Sequence, residues 1–142
     1  MLTPFYQMQR GNSRTVARIK KGLLAEGFSI EILAMEQPGW LSRLEEAVSA
    51  RRYALIHGFH GLYLGQALEK IPGLKEIPLL LTTTGTDLNI DLKGPQRPVV
   101  IQALAAARKI IVFNPDLGQF VAEAAPGLAE KLVTIPQGVY LE

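Results

Sequence analysis

The sequence predicts one α/β domain: a Rossmann-like, doubly wound parallel sheet of about six strands with helices on both faces. Three observations carry that prediction. Short apolar runs rich in Ile, Leu and Val recur along the chain, as in strands buried on both sides. Segments with helical periodicity and recognisable start and stop residues lie between them, and such alternation implies right-handed crossovers covering both faces of a parallel sheet. Finally, 142 residues, 48% of them hydrophobic and 20% charged, suit a single core spanning residues 1–142.

The elements follow in order. MLTPFY reads as the end of a first strand, and Ser13 as the cap of a helix that turns Val16, Ile19 and Leu23 to one side and stops at Gly27. FSIEILAM, residues 28–35, is the second strand. Leu41, Leu44 and Val48 are spaced for burial on a helix over residues 40–50, and YALIH, residues 53–57, is the third strand. A helix over residues 61–70 is halted by Pro72 and Gly73. IPLLLTT, residues 77–83, is the fourth strand, and a loop over 91–98 is punctuated by Gly94, Pro95 and Pro98. The helix after Pro98, VVIQALAAA, is apolar almost all the way round and is expected to be enclosed. KIIVF, residues 109–113, is the fifth strand. Asn114-Pro115-Asp116 combines a cap, a first-turn proline and an acidic residue at a helix start, and KLVTI, residues 131–135, closes the sheet.

Composition excludes several function classes. The net charge is +2, with basic and acidic residues interspersed, so no nucleic-acid footprint stands out. No cysteine is present, which rules out disulfides and thiolate metal sites and fits a cytoplasmic location. No apolar run reaches the roughly 18 residues of a transmembrane segment. The two histidines, lacking a nearby third ligand, make only a weak metal site, and no metal is expected.

In a parallel sheet all strand ends face one rim, so the residues after each strand are the candidate ligand contacts. These are Gly11, Asn12 and Ser13; His57, Gly58, Phe59 and His60; Thr84, Gly85, Thr86 and Asp87; Asn114; and Gln137 with Gly138. Gly11-Asn12-Ser13 offers backbone N–H groups to an anion at a helix start, or serves simply as a cap. His57 and His60 suit hydrogen bonding to hydroxyls or base catalysis, or are structural. Asp87 suits hydroxyl binding, or forms a turn after Gly85. There is no GxGxxG fingerprint for a nicotinamide cofactor.

GNSRTVARIKKGLLAEGFSIEIL, ALIHGFHGLYLG, PLLLTTTGTDLN, AARKIIVFNPDLGQFV and KLVTIPQGV, in that order, resemble the N-terminal half of family 4 glycosyltransferases of the GT-B fold. The resemblance runs from about Thr3 to Val139. It implies retaining transfer of a sugar from a nucleotide-sugar donor to an acceptor held mainly by this half, with the donor bound mainly by a C-terminal domain absent from the chain. Neither metal nor a further cofactor is implied. Gly11 and Asn12 match the loop that approaches the donor phosphates, His57 and His60 the rim after the third strand, and Gly85, Thr86 and Asp87 a strand-end motif. Gln137 and Gly138 match the lead into the second domain. Thr84 stands where many members have a histidine, and a hydroxyl cannot carry that positive charge. The isolated chain is not expected to catalyse transfer, its catalytic residues are not assigned, and an exposed cleft face invites self-association. Two alternatives stand beside this reading: a self-contained binding or interaction module, and half of a GT-B nucleotide-sugar epimerase. A flavodoxin-like or receiver-like domain is disfavoured by the lack of an acidic cluster or phosphate loop after the first strand.

Overall fold

The structure is a computed structural model and describes residues 1–6 and 11–137, with the backbone alone for Gly11 and Asn12. Its strands are β1 (Leu2–Thr3), β2 (Leu33–Ala34), β3 (Ile56–Phe59), β4 (Leu79–Thr82), β5 (Lys109–Val112) and β6 (Leu132–Thr134). The α-helices are α1 (Gly11–Ala25), α2 (Trp40–Ser49), α3 (Gly61–Lys70), the single turn α4 (Thr86–Asn89), α5 (Arg97–Ala106) and α6 (Pro115–Ala124). Short 3-10 turns occupy Pro72–Glu76, Asp91–Lys93 and Pro126–Lys131.

All strand pairs are parallel, in the order β2-β1-β3-β4-β5-β6. The chain moves from β1 to one neighbour, then crosses back through α2 to the other. The winding therefore reverses between β1 and β3, which opens a crevice beyond their carboxyl ends. The doubly wound class is as expected; the order of the first five strands is the flavodoxin type rather than that of dinucleotide-binding domains.

Local signals position most elements. Asn114 caps α6, its Oδ1 accepting the Leu117 N–H at 2.9 Å, with Pro115 in the first turn. Gly27, at φ 91°, ends α1 as a left-handed residue, with its N–H bonded to the Leu24 carbonyl. Other expectations need correction. Helix α1 begins at Gly11, so Ser13 lies inside it and is not its cap. The second strand, expected over residues 28–35, is confined to Leu33 and Ala34, the two residues in register with Leu2 and Thr3. Strand β3 lies further along than residues 53–57, since Ile56 to Phe59 align with Leu79 to Thr82. His57 and Gly58 are thus inside the strand, and a Cβ on Gly58 would lie 3.0 Å from the Leu64 side chain above it. The 91–98 loop contains helical turns at both ends.

Strand register separates two faces. Ile56, Leu79, Leu81, Ile110 and Val112 share one face and are buried beneath α2, α3, α5 and α6, whose Leu44, Leu64, Leu104 and Val121 complete the core. Helices α3 and α5 meet so closely that a Cβ on Gly65 would come within 2.3 Å of the Val99 carbonyl oxygen. The enclosed α5 expected from its composition has an open side: Val100, Ala103 and Leu104 are buried, but Gln102 and Ala105 are exposed. Along the other face run His57, Leu80, Ile111 and Val133, all only partly buried, with α1 beside them.

Candidate functional site

The polar residues at the carboxyl edge of the sheet organise around Asp87. Fully buried, its carboxylate accepts N–H groups from Gly61 (2.8 Å), Thr84 (3.1 Å), Gly85 (3.0 Å) and Leu88 (3.0 Å). One side chain therefore folds the turn after β4 and fastens it to the first residue of α3. The negative charge faces the positive end of that helix. Gly85 makes the turn possible: its φ of 116° is a conformation that side-chain-bearing residues rarely adopt. Asp87 occupies the motif that the sequence singled out, but its oxygens are engaged by the protein's own backbone.

His60 sits between β3 and α3 and does both elements' work. Its N–H bonds to the Thr82 carbonyl and its carbonyl accepts from Leu64. It holds φ 75° and ψ 117° without being glycine, a strained backbone state that persists only when its surroundings enforce it. The imidazole is 5% exposed; Nε2 lies 2.8 Å from Thr86 Oγ1 and 3.7 Å from Asp91 Oδ2, and the ring meets Tyr63 edge-on at 4.9 Å. Its Nδ1 is buried with no hydrogen-bond partner among the described residues. Burial lowers the pKa, opposed by the charges of Asp87 and Asp91, so the ring is held toward its neutral form. Phe5, beyond β1, touches Tyr63 with ring centroids 6.1 Å apart, extending an aromatic line across the crevice at the strand reversal.

His57 lies elsewhere. Its side chain leaves the open face of the sheet, bonds Thr82 Oγ1 through Nε2 at 2.6 Å and stacks on Phe59 at 4.4 Å. Burial, reinforced by the positive chain terminus, lowers its pKa to about 4. It helps line a cleft of about 1060 Å³ between α1 and the sheet, one end of which reaches Phe113, Ile135 and Pro136.

The structure thus gathers His60, Thr84, Gly85, Thr86 and Asp87, and sets His57 apart from them. Of this group the Thr84 hydroxyl, partly buried, makes no hydrogen bond among the described residues, and Thr86 is exposed. Gly11 and Asn12 form the first turn of α1, while the Asn12 side chain and Gly138 lie outside the described residues. Gln137 donates from Nε2 to Thr15 Oγ1 at 2.7 Å, tying the segment after β6 to α1. Phe5, Tyr63 and Asp91 belong to the crevice without having been singled out in the sequence. Tyr63 had a readable signal, standing three residues after His60 in a helix that starts at the rim. Nothing local marks Phe5 or Asp91, which arrive from other strands' loops.

Among the described residues no cluster of three His, Asp or Glu side chains is placed to hold a metal ion, and no helix is long and apolar enough to cross a membrane. The arrangement can offer hydroxyls, a neutral imidazole and aromatic edges to a polar ligand. Neither a protein-family model nor a curated protein matches the sequence.

Proposed function

We propose that this domain is the acceptor-side half of a retaining glycosyltransferase of the GT-B type, acting with a second lobe that binds the nucleotide-sugar donor. The observation that supports it best is the crevice beyond β3 and β4. There a buried, strained His60, following β3, has its ring beside Thr84 and Thr86, next to the reversal of strand order between β1 and β3. Sugar hydroxyls need both donors and acceptors, and threonine hydroxyls and a neutral imidazole supply both. Because burial disfavours its cationic form, His60 acts here as a positioning group and not as a counter-charge. Thr84 is uncharged as well. The charge that develops on the departing diphosphate therefore falls to the donor lobe and to the backbone N–H groups of the first turn of α1.

The test is to incubate the product of the complete reading frame with a panel of nucleotide sugars and candidate acceptors and to follow nucleotide release and product mass. Transfer that falls about tenfold or more in His60→Ala and Thr84→Val supports the assignment. Absence of nucleotide release across the panel overturns it. A second reading, a self-contained binding module, is favoured by the full engagement of Asp87 within the fold. Saturable binding of a small polyhydroxylated ligand, without turnover, would select it.

A further inference from the structure

The hydrogen bond between His60 and Thr86 has a direction, and the surroundings of the imidazole fix it. His60 Nε2 lies 2.8 Å from Thr86 Oγ1 and 3.7 Å from Asp91 Oδ2, while Nδ1 is buried with no hydrogen-bond partner among the described residues. Burial disfavours the cation, so the ring carries a single proton. Two effects place that proton on Nε2. On Nδ1 it would make a buried N–H without an acceptor, which folded proteins tolerate less readily than an idle lone pair. On Nε2 it finds an acceptor in Thr86 and faces the carboxylate of Asp91, whose side chain no other ion pair or hydrogen bond engages among the described residues. The other nearby carboxylate, Asp87, is already taken up by four backbone N–H groups. Asp91 is therefore the charge that discriminates between the two ring nitrogens.

The consequence lies at Thr86. Its oxygen accepts from the His60 Nε2–H, which leaves the hydroxyl proton directed elsewhere. The residue is exposed, and its side chain makes no other hydrogen bond among the described residues. We propose that Asp91 is a positioning residue that holds His60 as the Nε2–H tautomer, and that Thr86 is thereby a committed hydrogen-bond donor selecting an acceptor oxygen on the bound sugar. A hydroxyl free to rotate serves donors and acceptors alike. One oriented from behind serves a hydroxyl, ring or phosphoryl oxygen and disfavours a protonated amine at the same place. The inference rests on the sugar-transfer reading of the crevice and goes beyond it by giving Thr86 a direction and Asp91 a task.

The tautomer is read directly by long-range proton–nitrogen NMR correlation in protein carrying isotope-labelled histidine, with His57→Gln assigning the only other histidine. A protonated Nε2 and a bare Nδ1 are expected at His60, and Asp91→Asn should move the signals toward a mixture of tautomers. In the product of the complete reading frame, Thr86→Val should lower kcat/KM for transfer about tenfold, and Thr86→Ser should recover most of that loss. Asp91→Asn should cause a smaller loss that accompanies the change of tautomer. A proton on Nδ1, a tautomer indifferent to Asp91→Asn, or a Thr86→Ser protein no better than Thr86→Val overturns the proposal while leaving sugar transfer in place. A parent protein that releases no nucleotide from any donor overturns the sugar-transfer reading instead, and the assignment of Thr86 to a sugar falls with it whatever the tautomer.

Discussion

Leu81 and Leu80 are neighbours in β4, identical in chemistry, and live in different environments. Leu81 points into the layer closed by α3, α5 and α6 and is inaccessible to solvent; Leu80 faces the cleft beside α1 and is only partly buried. The same division separates the two histidines. His60 belongs to the carboxyl edge, where a strained backbone, Thr86 and the partly buried Asp91 hold it, while His57 faces the open side and bonds Thr82. One face of the sheet carries the stability of the fold, and the other is available for contact. A residue's position in a strand does not reveal which.

The largest expected effect is at the fastening of the sealed layer. Asp87→Ala leaves the buried N–H groups of Gly61 and Leu88 and the partly buried ones of Thr84 and Gly85 without this acceptor and should cost about 4 kcal/mol in urea denaturation, through the midpoint and not the slope. A loss below about 1 kcal/mol would mean that water or backbone rearrangement replaces the carboxylate. Next come the paired truncations. Leu81→Ala should cost about 3 kcal/mol by cavity formation, but Leu80→Ala about 1 kcal/mol, because its side chain is already partly hydrated. Equal losses would break the contrast between faces.

The next effect concerns pH. The folded-state pKa of His57, about 4, lies below its unfolded value near 6.5, so the unfolded chain binds more protons between these limits. Stability is then fully present above about pH 6.5 and is lost as pH falls through 4, by about 3 kcal/mol for this residue. His57→Gln should reduce that slope without abolishing it, since His60 is shifted in the same direction; a slope unchanged from the parent protein would remove His57 from the account. The smallest effect is expected at Phe28, 60% exposed at the mouth of the cleft. Phe28→Ser should alter the urea midpoint by an amount equivalent to less than about 0.5 kcal/mol, and a larger loss would show that the mouth closes in solution.

Much of the fold was legible because local chemistry and tertiary structure agree. Asn114-Pro115 starts α6, Gly27 follows the end of α1, and Pro72-Gly73 halts α3. At the carboxyl edge, Thr84, Gly85, Thr86 and Asp87, singled out in the sequence, lie together in the turn after β4, since a strand that ends in hydroxyls and a glycine turns there. The sequence could not show that the Asp87 oxygens are turned inward, because Gly61, which takes one of them, lies 26 residues earlier and is brought near only by the pairing of β3 with β4. Nor could it place His57, since shifting a strand by a few residues moves a side chain from an edge to a face.

The amino-acid order by itself determined the alternation of strands and helices, and with it a parallel sheet, because apolar period and capping chemistry are properties of adjacent residues. Only the tertiary structure decided the strand order, the orientation of the Asp87 carboxylate and the separation of a sealed face from an open one. Each of these depends on which distant segments meet. An apolar strand exposes the same side chains to either side until its neighbours and helices choose between them.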